Sequence, residues 1–128
     1  MTQEDKELLL KDLCGRLPYN VRAEYNGTTL TNIFDVLGIA HGRIMLCLPF
    51  MSKTECPPIE EVKPYLFPLS SMTEEQKKEF DTTLKYLPAE EINFWTLNTY
   101  DWCNKNHFDY RGLISKGLAN DATALNIY

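Results

Sequence analysis

The stretch KPYLFPLSSMTEEQKKEF, residues 63–80, constrains the fold more than any other part of the sequence. Pro64 and Pro68 fix their own φ angles and push the residues before them out of the helical region, so this backbone is extended. Thr73 has Gln76 three residues later, the spacing of a capping box in which each side chain bonds the other's backbone N–H. The stretch therefore predicts a stiff connector followed by the start of a helix.

The residues before this connector predict a helix and then a strand. Leucines recur at helical spacing in residues 3–14, Thr2 is in position to cap the helix, and Gly15 fits a left-handed stop. Residues 19–25 alternate apolar and polar side chains, as in a half-buried strand.

Two tight turns predict that this strand continues into an antiparallel meander. Asn26-Gly27 is a strong hairpin signal, because both residues tolerate positive φ. The elements expected after it are a return strand from Thr28 with a bulge near Asn32, strands over residues 34–39 and 43–48, and a turn at His41-Gly42 between them.

The residues after the connector predict mainly helices, over residues 74–84, 90–107 and 111–116. Residues 92–97 are also compatible with a short strand, because they include Phe94 and Trp95. Asp109 is expected to cap the last helix, and the tail from Leu118 is expected to fray.

These elements predict an α+β fold in a single domain, residues 1–128. It consists of an N-terminal helix, a small antiparallel β-meander of three or four strands, and C-terminal helices packed on one face. If the strand over residues 43–48 lies at an edge, a second copy of the chain has a strand to pair with.

Composition limits the classes of function. The net charge is −5 without a basic stripe, which argues against binding along a nucleic-acid backbone. No apolar run reaches the ~20 residues of a membrane-spanning helix. Residues 1–15 lack the basic region and cleavage site of a signal peptide, so we expect a cytoplasmic protein.

Four cysteines, at positions 14, 47, 56 and 103, have no C-x-x-C spacing and are expected to be reduced thiols, with Cys56 the most exposed. Cys103 and His107 are four residues apart and share a helix face. That pair suits two zinc ligands or a thiol nucleophile with its base. It better suits a core cysteine and a helix-terminal histidine, because no third ligand follows at a suitable spacing and Cys103 is not at a helix N-terminus.

Other catalytic motifs are missing from the sequence. It has no phosphate-binding glycine loop, no G-x-S-x-G elbow and no H-E-x-x-H pair. The paired glutamates lie near predicted helix starts, where acids are common. We therefore assign no metal, no cofactor and no catalytic residue from the sequence. Cys103, His107 and Asp109 remain the candidate ligand site, with Arg111 beside them.

Aromatic residues are frequent in the second half of the chain. Most of them fit a core, with their polar tips at its edge. Aromatic side chains and arginine also dominate the energetics of protein interfaces. The candidate partner-binding residues are Phe67, Trp95, Tyr110 and Arg111.

Three segments resemble a group of short, uncharacterised proteins of gut anaerobic bacteria that are often encoded in prophage-like or mobile regions. The segments are CGRLPYNV at residues 14–21, KPYLFPLSSMTEEQKKEF at residues 63–80 and HFDYRGLISKGLA at residues 107–119. That family usually has arginine at the position of Phe67 and often histidine at that of Asn106. The resemblance implies an accessory intracellular protein and transfers no catalytic role.

Two functions follow as hypotheses. The first is a small non-enzymatic module that binds or regulates a protein partner of a mobile element or prophage. The alternative is a small-ligand-binding protein or enzyme with a site near Cys103, His107, Asp109 and Arg111. A contiguous exposed aromatic patch favours the first, and a concave pocket where those four side chains converge favours the second.

Overall fold

The structure, a computed structural model, describes residues 1–25, 33–48 and 54–128. These residues form an α+β fold with a seven-stranded mixed sheet, a two-stranded sheet and three α-helices. The helices are α1 (Gln3–Arg16), α2 (Glu74–Thr83) and α3 (Leu97–Lys105). The strands are β1 (Arg22–Glu24), β2 (Phe34–Ala40), β3 (Arg43–Cys47), β4 (Thr54–Glu55), β5 (Lys63–Pro68), β6 (Lys85–Leu87), β7 (Ile92–Phe94), β8 (Phe108–Asp109) and β9 (Asn120–Asp121). The predicted class is confirmed, but the sheet is larger than the predicted meander and differently arranged.

Strand β5 lies in the stretch predicted as a connector and is an interior strand of the large sheet, between β1 on one side and β8 and β9 on the other. The strand order is β4-β3-β2-β1-β5-β8, and β9 also pairs with β5. β5 is antiparallel to β1 and parallel to β8 and β9, with Phe67 opposite Phe108 and Tyr65 opposite Asn120. The prolines predicted an extended backbone correctly. The connector interpretation was wrong because β8 and β9, which pair with this strand, come from distant parts of the chain.

The antiparallel half of the sheet follows the predicted pattern. β2 and β3 are joined by His41 and Gly42, whose φ angles of 53° and 73° are those the predicted turn requires. β1 is shorter than predicted, because residues Leu17–Tyr19 form a 3₁₀ turn. β3 pairs with both β2 and β4 and so is not an edge strand. The predictions for residues 26–32 lie outside the described residues.

Helix α1 begins as predicted and ends later. Thr2 accepts the backbone N–H of Asp5 at 3.1 Å and donates its own N–H to the Asp5 carboxylate at 3.3 Å. The stop predicted at Gly15 was wrong, since the helix continues to Arg16. A Cβ at Gly15 would lie 3.1 Å from the amide nitrogen of Asn104, so this glycine lets α1 approach α3 closely.

The core has two parts. The larger packs α1, through Leu9 and Leu13, against side chains of the large sheet such as Ile44 and Leu46. The smaller consists of Tyr65, Ala122 and Ile127, with Ile33 and Phe67 packed against it. The predicted fraying of the tail from Leu118 was therefore wrong: Leu118, Ala122 and Ile127 are buried, although Leu125 is exposed, and β9 pairs with the sheet.

The second half of the chain departs from prediction at two places. α2 starts at the predicted Thr73–Gln76 capping box. Within residues 92–97, Ile92–Phe94 take the strand alternative, because β7 forms a hairpin with β6 and α3 begins only at Leu97. The helix predicted over residues 111–116 was wrong, since these residues form consecutive turns. Along the described residues, no helix combines the length and the apolarity needed to cross a bilayer.

Candidate functional site

A network of threonine side chains positions the hairpin β6–β7 between α2 and α3. The Thr96 hydroxyl donates to the Thr83 carbonyl oxygen at 2.8 Å, and the Thr99 hydroxyl donates to the same oxygen at 3.0 Å. Thr96 also caps α3 by accepting the Thr99 backbone N–H. The last carbonyl of α2 is thereby tied to the first turn of α3, and the residues that flank the hairpin hold a fixed position.

Three aromatic rings meet at the start of α3. Trp95 and Tyr100 have ring centroids 5.1 Å apart, Tyr100 and Tyr110 5.2 Å, and Trp95 and Tyr110 6.2 Å. The ring planes are inclined by 52° to 68°, the tilted and edge-to-face range that aromatic pairs prefer. The three rings therefore contact one another in a triangle.

This triangle forms the floor of a shallow cavity of about 440 Å³. We call this cavity the aromatic groove; among the described residues it is lined by Asn93, Phe94, Trp95, Tyr100 and Tyr110. Phe94 and Tyr100 remain 39% and 41% exposed although they are large and mostly apolar.

Several large apolar side chains of the β6–β7 hairpin and of the start of α3 are also exposed. Leu97 is 82% exposed at the first position of α3, and Tyr86 and Ile92 on the hairpin are 55% and 43% exposed. Single exposed apolar side chains are ordinary on soluble proteins, whereas a concentration of them marks a surface that contacts something else. Together with Phe94 and Tyr100, these residues cluster within one short segment, residues 86–100.

Two polar groups in the aromatic groove are available to a ligand. Neither the indole N–H of Trp95 nor the hydroxyl of Tyr100 has a hydrogen-bond partner within the described residues. In contrast, the indole N–H of Trp102 donates to the Glu79 carboxylate at 3.3 Å. The groove thus offers hydrogen-bond donors together with its apolar rings.

A buried ion pair lies behind the aromatic groove. Arg16 and Asp12 are both completely buried, and the guanidinium donates to the two carboxylate oxygens at 2.7 and 3.0 Å. Arg16 also donates to the Phe108 carbonyl oxygen at 2.7 Å. The Nε of Arg111 lies 3.3 Å from the same carboxylate but has no hydrogen-bond partner among the described residues. One carboxylate therefore contacts two guanidinium groups, so within the described ranges the two positive charges share one counter-ion.

Tyr110 connects these charges to the aromatic groove. The guanidinium carbons of Arg16 and Arg111 lie 5.3 and 5.0 Å from the centroid of its ring, within the range of cation–π attraction. Its hydroxyl donates to the Asn104 side-chain oxygen at 3.0 Å. The side chain of Arg111 is still 29% exposed.

The candidate ligand-site residues from the sequence have separate environments. Burial raises the pKa of the Cys103 thiol to about 11, so this cysteine is protonated at neutral pH. Burial, together with Arg16 and Arg22, lowers the pKa of His107 to about 4, and its ring stacks on Tyr128 with centroids 3.6 Å apart. No hydrogen bond joins Cys103 to His107 among the described residues.

Asp109 uses its carboxylate to organise the turns that follow it. One oxygen accepts the backbone N–H groups of Arg111 and Leu113 at 3.2 and 3.0 Å, and the other accepts that of Ile114 at 2.9 Å. The sequence predicted this capping role, although the structure has turns where a helix was expected. Because residues 111–114 are not in a helix, their backbone N–H groups need other acceptors, and the Asp109 carboxylate supplies one to three of them.

The candidate partner-binding residues divide into two locations. Trp95 and Tyr110 line the aromatic groove, and Arg111 packs on Tyr110. Phe67 does not line it among the described residues, since its ring packs against Phe108 and Tyr128 at 6.0 and 5.9 Å.

Sequence reasoning did not select Asn93, Phe94 and Tyr100 as site residues. A signal for them exists in the segment FWTLNTY, residues 94–100. The spacing of Thr96 and Thr99 indicates that a helix begins at Thr96. Two aromatic residues precede this helix and a third, Tyr100, lies in its first turn. Because the chain changes direction at a helix cap, these rings meet in space.

Within the described part of the chain, no group of three or more histidine, cysteine, aspartate or glutamate side chains has an arrangement that would hold a metal ion. Comparison with protein-family models, curated proteins and solved structures finds no match to this chain.

Proposed function

We propose that the protein is a small non-enzymatic binding module that contacts a protein partner through the aromatic groove. The observation that carries the proposal is the triangle of contacting rings formed by Trp95, Tyr100 and Tyr110, of which Tyr100 is exposed and the other two are half-buried. Exposed tyrosine and tryptophan rings are favoured at interfaces because they bury a large area and lose little conformational entropy.

The energy available from these rings is sufficient for a specific interaction. Burying apolar surface contributes roughly 25 cal/mol per Å², and interface residues of this type contribute up to ~2–4 kcal/mol each. The rings already contact each other, and the hydroxyls of Thr96 and Thr99 fix the start of α3 that carries Tyr100, so little order has to be gained on binding.

The geometry gives less support to an enzyme near Cys103. A nucleophilic thiol requires a lowered pKa, whereas burial raises that of Cys103 to about 11. The carboxylate of Asp109 accepts three backbone N–H groups and is not directed at a substrate. With the resemblance to mobile-element proteins, this supports a cytoplasmic accessory module rather than a catalyst.

Quantitative affinity purification from the cytoplasm of the host tests the proposal. The wild-type protein, Tyr100→Ala and the control Leu37→Ala serve as baits. Leu37 is a fair control because it is 52% exposed and lies on β2, outside the aromatic groove. Circular dichroism and thermal unfolding establish that each bait is folded.

A protein retained in stoichiometric amount by wild type and Leu37→Ala, and lost with Tyr100→Ala, is the expected result. A partner retained equally by all three baits would place binding on another surface and contradict the proposal. Absence of any retained protein would contradict it as well.

A further inference from the structure

We propose that the protein forms a symmetric dimer in which β7 pairs with β7 of a second copy, antiparallel and centred on Asn93, so that the two hairpins become one four-stranded sheet. This inference goes beyond the proposed function, because it concerns the backbone edge of β7 and not the rings of the aromatic groove. It rests on the open edge of β7, on the match between the side chains in that register and on the charges at the two ends of the strand.

The β6–β7 hairpin is an exposed two-stranded sheet. β7 pairs with β6, and no other strand among the described residues lies beside it. All three residues of β7 are exposed, and so are two of the three residues of β6. A two-stranded sheet with both faces in water is marginally stable, and further strands stabilise it. The hairpin therefore gains stability if another strand is added at an edge.

β7, and not β6, is the edge that is open to pairing. β6 begins with Lys85 and is followed directly by Pro88, and lysine and proline are residues that protect a sheet edge from pairing. β7 consists of Ile92, Asn93 and Phe94, so it has neither a charge nor a proline. The outward N–H and C=O groups of β7 are thus a template for a further strand.

The side chains of β7 favour a second copy of β7 in one register. Pairing centred on Asn93 places Ile92 opposite Phe94 of the second copy, twice by symmetry, and places Asn93 opposite its own equivalent. Directly opposite residues share a face, so apolar side chains meet apolar ones and the two amides can hydrogen-bond each other. Within each hairpin Ile92 already lies opposite Leu87, so one face of the new sheet has a continuous apolar row. A slip by one residue places Asn93 opposite an apolar side chain and loses both matches.

The same register gives the acidic turn of the hairpin a complementary neighbour. Glu90 and Glu91 are exposed in that turn. Continuing the register places Glu91 beside Trp95 of the second copy, the residue before Thr96, which is the N-cap of α3. The first turn of α3 contains no acidic residue, whereas α1 and α2 each have two. Because a helix N-terminus attracts negative charge, the turn of each copy is placed favourably against α3 of the other.

The antiparallel arrangement also keeps the two acidic turns apart. In this register Glu91 of one copy lies beside position 95 of the other, so the two Glu91 residues are separated by roughly 13 Å along the strands. This separation exceeds the Debye length of about 8 Å at 0.15 M salt, so repulsion between the turns is largely screened. A parallel pair would instead bring the acidic turns together. Because three paired residues make a small interface, we expect a dissociation constant of about 10–100 μM.

Cysteine cross-linking tests the pairing and its register. Cys14→Ser with Cys56→Ser removes two exposed native thiols and serves as the background. In this background Asn93→Cys places a thiol opposite its equivalent, where the Cβ atoms are about 4.5–5.5 Å apart. We expect oxidised glutathione to convert most of this variant into a covalent dimer at protein concentrations above the dissociation constant. Leu37→Cys, at a position 52% exposed on β2, is the control for random collisions and should remain mostly monomeric.

Two further cysteine variants determine the register. Ile92→Cys and Phe94→Cys, each alone, should cross-link more slowly than Asn93→Cys, because each thiol is diagonal to its own equivalent at about 7–8 Å. A mixture of the two variants should form a mixed dimer rapidly, because these positions lie opposite each other. Self-cross-linking of Ile92→Cys that is faster than that of Asn93→Cys would contradict the register.

Sedimentation equilibrium over a range of protein concentrations measures the dimer without a covalent link. Wild type should show a reversible monomer–dimer equilibrium. Ile92→Lys should raise its dissociation constant at least tenfold, because it places a charge in the apolar row on an edge strand. Leu37→Lys should leave the constant unchanged, and circular dichroism establishes that both variants are folded.

Three outcomes would overturn the inference. They are a wild type that stays monomeric at concentrations well above the expected dissociation constant, a dimer that Ile92→Lys does not weaken, and cross-linking of Asn93→Cys no faster than that of Leu37→Cys. A monomeric wild type would leave the edge of β7 to a strand of another protein. A host protein captured through Tyr100 would still support the proposed function in that case, and a dimer without a captured protein would contradict the proposed function alone.

Discussion

Removing the charge of Asp12 should be among the most destabilising conservative substitutions in this protein. Asp12→Asn keeps the size of the side chain but leaves Arg16, which is completely buried, without a counter-ion. Arg111 loses its ion-pair contact with the same carboxylate. Breaking a buried ion pair on one side costs about 3–5 kcal/mol, because the remaining charge stays desolvated.

The free energy of unfolding of a domain this size is roughly 5–15 kcal/mol, so the loss is a large share of it. Urea unfolding followed by circular dichroism measures this loss. We expect a midpoint at clearly lower urea and an unchanged slope, because the exposed surface does not change. In a thermal scan the midpoint should fall by roughly 10 °C or more.

An exposed ion pair is the matched control. Lys6 and Glu60 are 2.6 Å apart, but their side chains are 32% and 38% exposed. Solvent screens such exposed pairs and they contribute little, so Glu60→Gln should change the free energy of unfolding far less than Asp12→Asn does. The double variant Asp12→Leu with Arg16→Met should recover most of the loss, because apolar side chains replace both charges. If Asp12→Asn costs no more than Glu60→Gln, the reasoning about this cluster is refuted.

Three further predictions use the same structure. Burial lowers the pKa of His107 to about 4, so the folded state favours the neutral imidazole. The free energy of unfolding should therefore be highest above pH about 6.5 and should fall by up to about 3 kcal/mol as the pH drops towards 4. Urea unfolding at several pH values should show this fall in wild type and a weaker one in His107→Asn, a residue that tolerates the positive φ of 63°; equal falls would contradict the prediction. Cys103 should react with a thiol reagent only on unfolding while exposed Cys14 and Cys56 react at once, and mass spectrometry showing rapid native modification of Cys103 would contradict its burial. Thr99→Val removes the hydroxyl that donates to the Thr83 carbonyl oxygen, so it should lower the free energy of unfolding by about 1 kcal/mol and speed amide hydrogen exchange in β6–β7. Unchanged exchange in β6–β7 would show that the threonine network does not hold the hairpin.

Local sequence signals predicted local structure well. The caps at Thr2 and Thr73 formed as expected because a capping box involves residues three positions apart. The turn at His41-Gly42 formed for the same reason, since it needs only two residues that accept positive φ.

Features that depend on distant residues were not predicted. Gly15 fitted a helix stop, but its neighbour in space is Asn104, and α1 continues past it. Residues 111–116 have a good cap in Asp109, yet the chain there forms turns that lead into β9 and its pairing with β5. Such contacts decide the structure over local preference.

The candidate site was predicted in part. Interface chemistry pointed to Trp95, Tyr110 and Arg111, which the fold brings together. It also pointed to Phe67, because two flanking prolines suggest an exposed connector. The ring instead packs within the structure, since β5 is an interior strand with β8 and the C-terminal residues around it.

The most direct test of a partner-binding aromatic groove is nuclear magnetic resonance of the two indole N–H groups during titration with the captured partner. The protein has two tryptophans, so the signals are separately assignable. Trp95 lines the aromatic groove, whereas the indole N–H of Trp102 is bonded to Glu79. Binding through the groove should shift the Trp95 signal strongly and leave that of Trp102 nearly unchanged. Saturating binding with no change at Trp95 would contradict the account.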